Sequence, residues 1–349
     1  MSYSFLRESK LYIVYSGTRY RIYTSSAVSL DQTFAEDSYS VKTLHDQSKM
    51  FEGSTVNKAN PASFSFDVPL TKEKDESVII ELLGNLTDGQ LKKFDIYVVT
   101  TNSTFKLENA IITSASMDFV PENPFMIRVE GEGTKLSKAA TVTHTAGAFT
   151  VNQTYTITTV GSTDFTSVGS ANNNVGTEFT ATGTGNGNGT ASYTIPGQAQ
   201  SESATRTPLM VYPVISADSL NMNNIVSVNF QLQNEINWTN YTNLHNSLSV
   251  TNSSNAMFPS AYTVEKRIAS GEIRQYQTDN NITQFDDFST NTDLTITAKN
   301  ISGNADFFEI AINPVMYTAR MEVADVFTQS YDFRSLDNTD PVTTQISYS

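Results

Sequence analysis

The sequence predicts an all-β protein of two tandem domains with a small β module between them. Three observations carry that expectation: apolar and polar residues alternate with a period of two, the composition suits sheets and turns better than helices, and two long segments echo each other in the order of their parts. At 349 residues the chain exceeds what a single hydrophobic core usually serves. Only 38% of residues are hydrophobic and 17% charged, and much of the remainder is Thr, Ser and Asn, which favour sheet surfaces and turns.

The elements follow in order. Tyr20 and Ile22 alternate with Arg19 and Arg21, the pattern of a half-buried strand. A helix is expected from Thr71 to Gly84, with Thr71 as its cap, acids in its first turns, Val78, Ile79 and Leu82 on one face and Gly84 at its end. Phe94, Ile96 and Val98 form a strand, followed by Phe105 with Leu107 and by Phe125, Ile127 and Val129 alternating with Arg128 and Glu130. In the last third Val226, Val228, Phe230 and Leu232 alternate with Ser227, Asn229 and Gln231, and Leu294 with Ile296 repeats the pattern.

The internal echo pairs Thr43-Leu-His-Asp46 through Asn60-Pro-Ala-Ser-Phe64 with Asn243-Leu-His-Asn246 through Phe258-Pro-Ser-Ala-Tyr262. Phe94-Asp-Ile-Tyr-Val-Val-Thr100 is matched by Asp293-Leu-Thr-Ile-Thr-Ala-Lys299. The two copies end at Gly131-Glu-Gly-Thr-Lys-Leu136 and Tyr331-Asp-Phe-Arg-Ser-Leu336. Between them, residues from about Ala140 to Gly197 are nearly free of charge and rich in Thr and Gly. Gly183-Thr-Gly-Asn-Gly-Asn-Gly-Thr190 supplies turns with positive φ, and Tyr155, Ile157, Phe165, Phe179 and Tyr193 can make a small core. The competing reading of this stretch is a flexible linker. The expected boundaries are domain one at residues 1–139, an outward-facing module at 140–197 and domain two at 198–349.

Composition also excludes functions. With 36 acidic against 22 basic residues the net charge is −14, the wrong sign for gripping nucleic acid. The absence of Cys removes disulfides, thiolate catalysis and Cys-based zinc sites. The first residues lack a basic stretch followed by an apolar core, and no apolar run reaches bilayer length, so neither export by a standard signal nor a membrane partner is expected. His45, His144 and His245 are too few and too scattered for a metal or catalytic cluster, and no Gly-x-Ser-x-Gly elbow supports a triad. Asp286-Asp287, between Phe285 and Phe288, reads as a solvated turn or second short helix, and the Gly183–Gly189 run lacks the Lys-Ser/Thr of a phosphate loop. Trp238 alternates with Ile236 and is expected to be core. No catalytic residue, cofactor or metal is expected.

The long loop from Glu36 to Ala62, a strand, a covering helix and a hairpin-rich half ending Val129-Glu-Gly-Glu-Gly133 together resemble the tail tube proteins of long-tailed bacteriophages. Tyr155-Thr-Ile-Thr-Thr-Val-Gly-Ser-Thr-Asp-Phe-Thr-Ser-Val-Gly169 and Val175-Gly-Thr-Glu-Phe-Thr-Ala-Thr-Gly183 are similar to a short module of phage tail proteins. The resemblance implies two tandem tail-tube-like β-sandwich or barrel domains, each with at most one short helix, whose sheets join edge to edge into rings that stack through the long loops. It implies a structural virion protein of the tail, assembled in the host cytoplasm and without enzymatic activity. Its implied partners are copies of itself, the tail terminator, distal tail or baseplate proteins, the tape measure, and viral DNA passing without specific binding. The chain departs from the usual pattern by carrying two domains and an insert, so three copies per ring with pseudo-six-fold symmetry are expected. Met50, Phe51, Met257 and Phe258 in the long loops are the expected ring-stacking residues, being apolar side chains that need a cover. A baseplate or receptor-binding component, or a bacterial adhesin, is the reading from the binding class.

Overall fold

A computed structural model describes residues 9–42, 50–120, 123–217, 222–239, 258–259, 261–279, 281, 292–300, 306–323, 326–336 and 346–348. The fold is all-β: two tandem β domains and a small β module, with one short α-helix among the described residues. The first domain runs β1 (Lys10–Tyr15), β2 (Thr18–Ile22), β3 (Ser29–Asp31), β4 (Phe34–Lys42), β5 (Met50–Ala59), β6 (Ala62–Pro69), α1 (Ser77–Leu83), β7 (Phe94–Val99), β8 (Thr104–Phe119), β9 (Met126–Gly133) and β10 (Lys135–Lys138). The module holds β11 (Val142–Thr145), β12 (Thr154–Thr159), β13 (Glu178–Thr180) and β14 (Thr190–Tyr193), and β15 (Gln198–Ala199) follows it. The second domain runs β16 (Val211–Ala217), β17 (Ile225–Thr239), β18 (Ala261–Tyr276), β19 (Thr292–Asn300), β20 (Asp306–Glu322), β21 (Thr328–Ser335) and β22 (Ile346–Tyr348).

The expected period-two strands all form. β6 buries Phe64, Phe66 and Val68 and leaves Ser63, Ser65 and Asp67 outward, while β17 buries Val228, Phe230 and Leu232 and exposes Asn229, Gln231 and Gln233. Each domain folds this alternation into two layers, because the long strands β8 and β20 serve both sheets. The first half of β8 pairs with β7 and β10, and its second half pairs with β9 and with β17 of the other domain. The turn between halves is made at Asn109, which adopts a left-handed φ of 48° and donates its N–H to Asp95 Oδ1 at 2.9 Å.

The two domains share one topology. In the first, strands pair in the order β1-β7-β8-β9-β6-β3; in the second, the order is β16-β19-β20-β21-β18-β17. Strand for strand these are the same path, and β10 on β8 has its counterpart in β22 on β20. A Phe–Gly cross-strand pair marks the same place in both, with roles exchanged: Phe64 faces Gly131, and Phe333 faces Gly271. The glycines are needed because a Cβ would lie 2.4 Å from Phe64 Cζ in one case and 2.6 Å from Phe333 Cζ in the other.

Four expectations are corrected. The helix covers only Ser77–Leu83, since residues from Thr71 to Glu76 form turns whose acidic side chains are engaged elsewhere, and Gly84 ends it in an extended conformation with φ −61°. Within the stretch expected as an irregular loop, residues up to Lys42 and from Met50 to Ala59 pair antiparallel as β4 and β5. The echo at Pro61 and Pro259 is out of register, because the shared topology makes Gly271, and not Tyr262, the equivalent of Phe64. Finally, Trp238 is half-buried in a side cluster with Tyr262, Leu91 and Ile111, and its Nε1 donates to Glu132 at 2.6 Å.

A single core runs through both domains, from Ile13, Phe64 and Ile127 to Phe230, Ile296 and Phe333. The module has a separate core of Phe149, Tyr155, Ile157, Phe165, Val168 and Phe179, with Tyr193 packed against it. It is fastened to the outer layer of the first domain: β15 pairs in parallel with β2, and Arg19 forms an ion pair with Glu178.

Candidate functional site

The inner layers of the two domains form one continuous sheet, β3-β6-β9-β8-β17-β18-β21-β20, joined where Phe119–Ser114 of β8 pair with Val228–Gln233 of β17. One face of this sheet is packed on the core; the other is open and polar. Four of its cations are held by carboxylates: Arg128 with Glu130 at 3.2 Å, Lys266 with Glu235 at 3.1 Å, Arg274 with Glu322 at 3.4 Å, and Arg320 with Asp332 at 2.8 Å and Glu272 at 3.9 Å; Arg334 is exposed on the same face. Exposed pairs of this kind contribute little to stability, about 0–1 kcal/mol each. Their effect is to cancel positive charge along the wall, while Asp31, Asp67, Asp118 and Glu132 add negative charge.

Two further contacts fix the domains to each other. Arg267 of β18 is 1% exposed and donates through Nη2 to Leu83 O at 2.6 Å and Gly84 O at 3.0 Å, so the second domain caps the C-terminus of the first domain's helix. A cation there also meets the negative end of the helix dipole. The segment before β16 is strapped across the first domain: Leu209 N–H donates to Leu70 O, and Phe125 N–H to Leu209 O. Arg206 binds the buried Glu76 at 2.6 Å and Asp75 at 3.2 Å, and Thr71 Oγ1 donates to Glu76 at 2.7 Å. Glu73 accepts the Thr207 N–H and hydroxyl, both at 2.8 Å, and the backbone bond from Thr207 is the chief cause holding its carboxyl below the usual range.

The sheet has two ends. β3 pairs with β6 on one side only, and β20 beyond Val315 pairs with β21 on one side only among the described residues. The stretch beyond Val315 is rich in exposed apolar side chains, with Met316 48%, Met321 47% and Val323 66% exposed.

Of the residues expected to stack rings, Met50 and Phe51 lie on β5, opposite Lys42 and Val41, but their side chains are outside the described residues, as is Met257. Phe258 is half-buried with Lys135 Nζ 5.0 Å from its ring centre, a contact within the same chain. His144 stacks on Tyr193 in the module, while His45, His245, Asp286 and Asp287 lie outside the described residues. Among the described residues no group of three His, Asp or Glu side chains is placed to hold a metal. The residues that sequence reasoning passed over are Arg267 and Arg206; their position beside apolar or acidic neighbours carries no periodic signal.

A family model described as the Bacteriophage Baseplate Tube Protein Family matches residues 1–175 and 183–349. The chain belongs to that family. It is a structural component of the phage tail or baseplate, a tube protein, and such a family implies self-assembly and other tail or baseplate proteins as partners. The gap between the matched segments falls inside the module, between Val175 and Gly183, and not at the junction of the two wall domains. No curated protein matches the chain.

Proposed function

We propose that three copies of this chain close into a ring with pseudo-six-fold symmetry, and that rings stack into the conduit through which DNA leaves a long-tailed phage. The observation that carries the reading is the continuous two-domain sheet with one polar face and unpaired ends. An open edge is an aggregation hazard unless a further strand covers it, and ring closure removes both edges together. On this reading domain one is residues 1–139, the module 140–197 and domain two 198–349. The polar face lines the lumen, and the module lies outside, on the layer that carries β2. The β4–β5 pair reaches the next ring, with Met50 and Phe51, and Met257 and Phe258 of the second domain, as its apolar contacts.

The wall chemistry suits a conduit for a polyanion. A wall offering about six phosphate contacts per ring would add salt-dependent affinity at every level of the tube. Here Arg128, Lys266, Arg274 and Arg320 face carboxylates, and the face's carboxylates outnumber its cations even with Arg334 counted, so DNA meets a surface that is neutral to acidic. The other tail partners are the terminator, distal tail or baseplate proteins and the tape measure, with assembly in the host cytoplasm.

A second reading places the chain in the baseplate portion of the tube, favoured by the family's own description. Electron microscopy of the purified protein separates the two. Long hollow filaments support the tail tube, and single rings or short stacks support the baseplate position. A reconstruction with six copies per ring refutes the trimer. Retention of duplex DNA at about 50 mM salt that weakens steeply as salt rises refutes the non-adhesive lumen.

A further inference from the structure

The shared topology allows the contact between domains within one chain to be transferred to the contact between chains. We infer that Thr318–Val323 of one copy pairs antiparallel with Val28–Thr33 of the next, in a register that repeats the junction of β8 with β17. This rests on the ring reading above, and its partner is a second copy of this chain.

The register follows from the Phe–Gly pairs. Val129, two residues before Gly131, faces Ala115; Tyr331, two residues before Phe333, faces Ala319. Ala319 thus takes the place of Ala115, Met321 that of Met117, and Val323 that of Phe119. On the other edge Phe230 faces Gly271 as Leu30 faces Phe64, so Leu30 replaces Phe230 and Val28 replaces Val228. Within the chain Met117 pairs with Phe230 and Phe119 with Val228. Between chains Met321 then meets Leu30, and Val323 meets Val28.

Exposure supports the transfer. Where the junction is formed, Met117, Phe119 and Phe230 are 0% exposed and Val228 is 1%. At the same places on the open ends Met321 is 47% and Val323 66% exposed, and Val28 and Leu30 are only partly covered. These residues have the polarity of a core position without a cover, which a second copy supplies at its complementary edge. The neighbouring site on β20 is already filled by β19, just as β7 precedes β17 along β8, so the length of β20 left unpaired on that side among the described residues matches one incoming strand.

Because the chain contains no Cys, pairs introduced by substitution are unique. Asp31→Cys with Arg320→Cys tests the new junction, and Ser116→Cys with Gln231→Cys, a directly paired site on the internal junction, calibrates it. Ser29→Cys with Arg320→Cys is the out-of-register control, too far apart to bridge. Oxidation of assembled rings is expected to link the 31–320 pair between copies as fully as the 116–231 pair links within one chain, and to leave the control unlinked. Met321→Glu, on an exposed side chain, is expected to give folded monomers that no longer close. Rings in which the internal pair bridges and the 31–320 pair does not overturn the junction alone, as do normal rings from Met321→Glu. Failure of the unsubstituted chain to form any closed assembly overturns the ring reading and the junction together.

Discussion

Replacing Arg267 tests whether the two domains behave as one mechanical unit. Its guanidinium is buried in the second domain, and both carbonyls it caps belong to the first. In Arg267→Met the volume is largely kept, but two buried acceptors lose a charged donor, at about 1–3 kcal/mol each. The loss is partly offset because a guanidinium no longer has to be desolvated, so a net cost of about 2–3 kcal/mol is expected. Arg267→Ala adds a cavity and should cost about 4–5 kcal/mol. At about 2 °C per kcal/mol for a chain of this size, the melting temperature falls by about 5 °C for Met and about 9 °C for Ala. Differential scanning calorimetry should also show the unfolding peak broaden or divide, since the lost bonds cross the domain boundary. A Met variant that melts within about 1 °C of the parent, in one unchanged transition, refutes the latch.

Gly131→Ala places a Cβ 2.1 Å from the Ile111 carbonyl as well as against Phe64, and a backbone atom cannot step aside. It should cost about 3 kcal/mol in chemical denaturation, with Phe64→Leu recovering only part; full recovery refutes the carbonyl's share. The carboxyl of Glu73 is held low in the folded chain, so its contribution is complete above the ordinary carboxylate range and lost as pH falls through the lowered value. The protection of the Thr207 amide, its exchange relative to the intrinsic rate at each pH, should therefore fall on acidification in the parent, and in Glu73→Gln it should be lower already at neutral pH; equal protection in both at neutral pH refutes the role. Met50→Ser with Phe51→Ser should leave closed rings that do not stack, and tubes of normal length by microscopy refute that contact. Deleting Ala140–Gly197 with a short linker should still give rings, whereas a folded, soluble product that forms none refutes a dispensable module.

The strand faces were legible because one side of each strand is buried, as at Phe64, Phe66 and Val68 or at Val228, Phe230 and Leu232. The second half of β8 carries the same signal, since Ala115, Met117 and Phe119 alternate with Ser114, Ser116 and Asp118. The β4–β5 pair is not legible as strands because a ribbon separate from the two main layers gives its residues little reason to alternate strictly. The sequence pattern overstates the helix because Asp75 and Glu76 look like first-turn acids, whereas Arg206, 130 residues on from Glu76, recruits them. The sheet ends were hidden for a related reason: Met321 and Met117 have the same local pattern, and only the absence or presence of a neighbouring strand distinguishes them.

The module's fastening has a consequence for how such an assembly looks. Gly197 donates its N–H to Gln153, Ala199 donates to Thr154, and β15 then joins β2, so the module is bolted at its exit and not hung on a tether. It occurs once for every two wall domains. On the proposed ring reading, with the module outside, a ring seen down its axis carries half as many external studs as it has wall segments. The studs stand at fixed angles, giving a particle image the landmark needed to tell one pseudo-equivalent domain from the other.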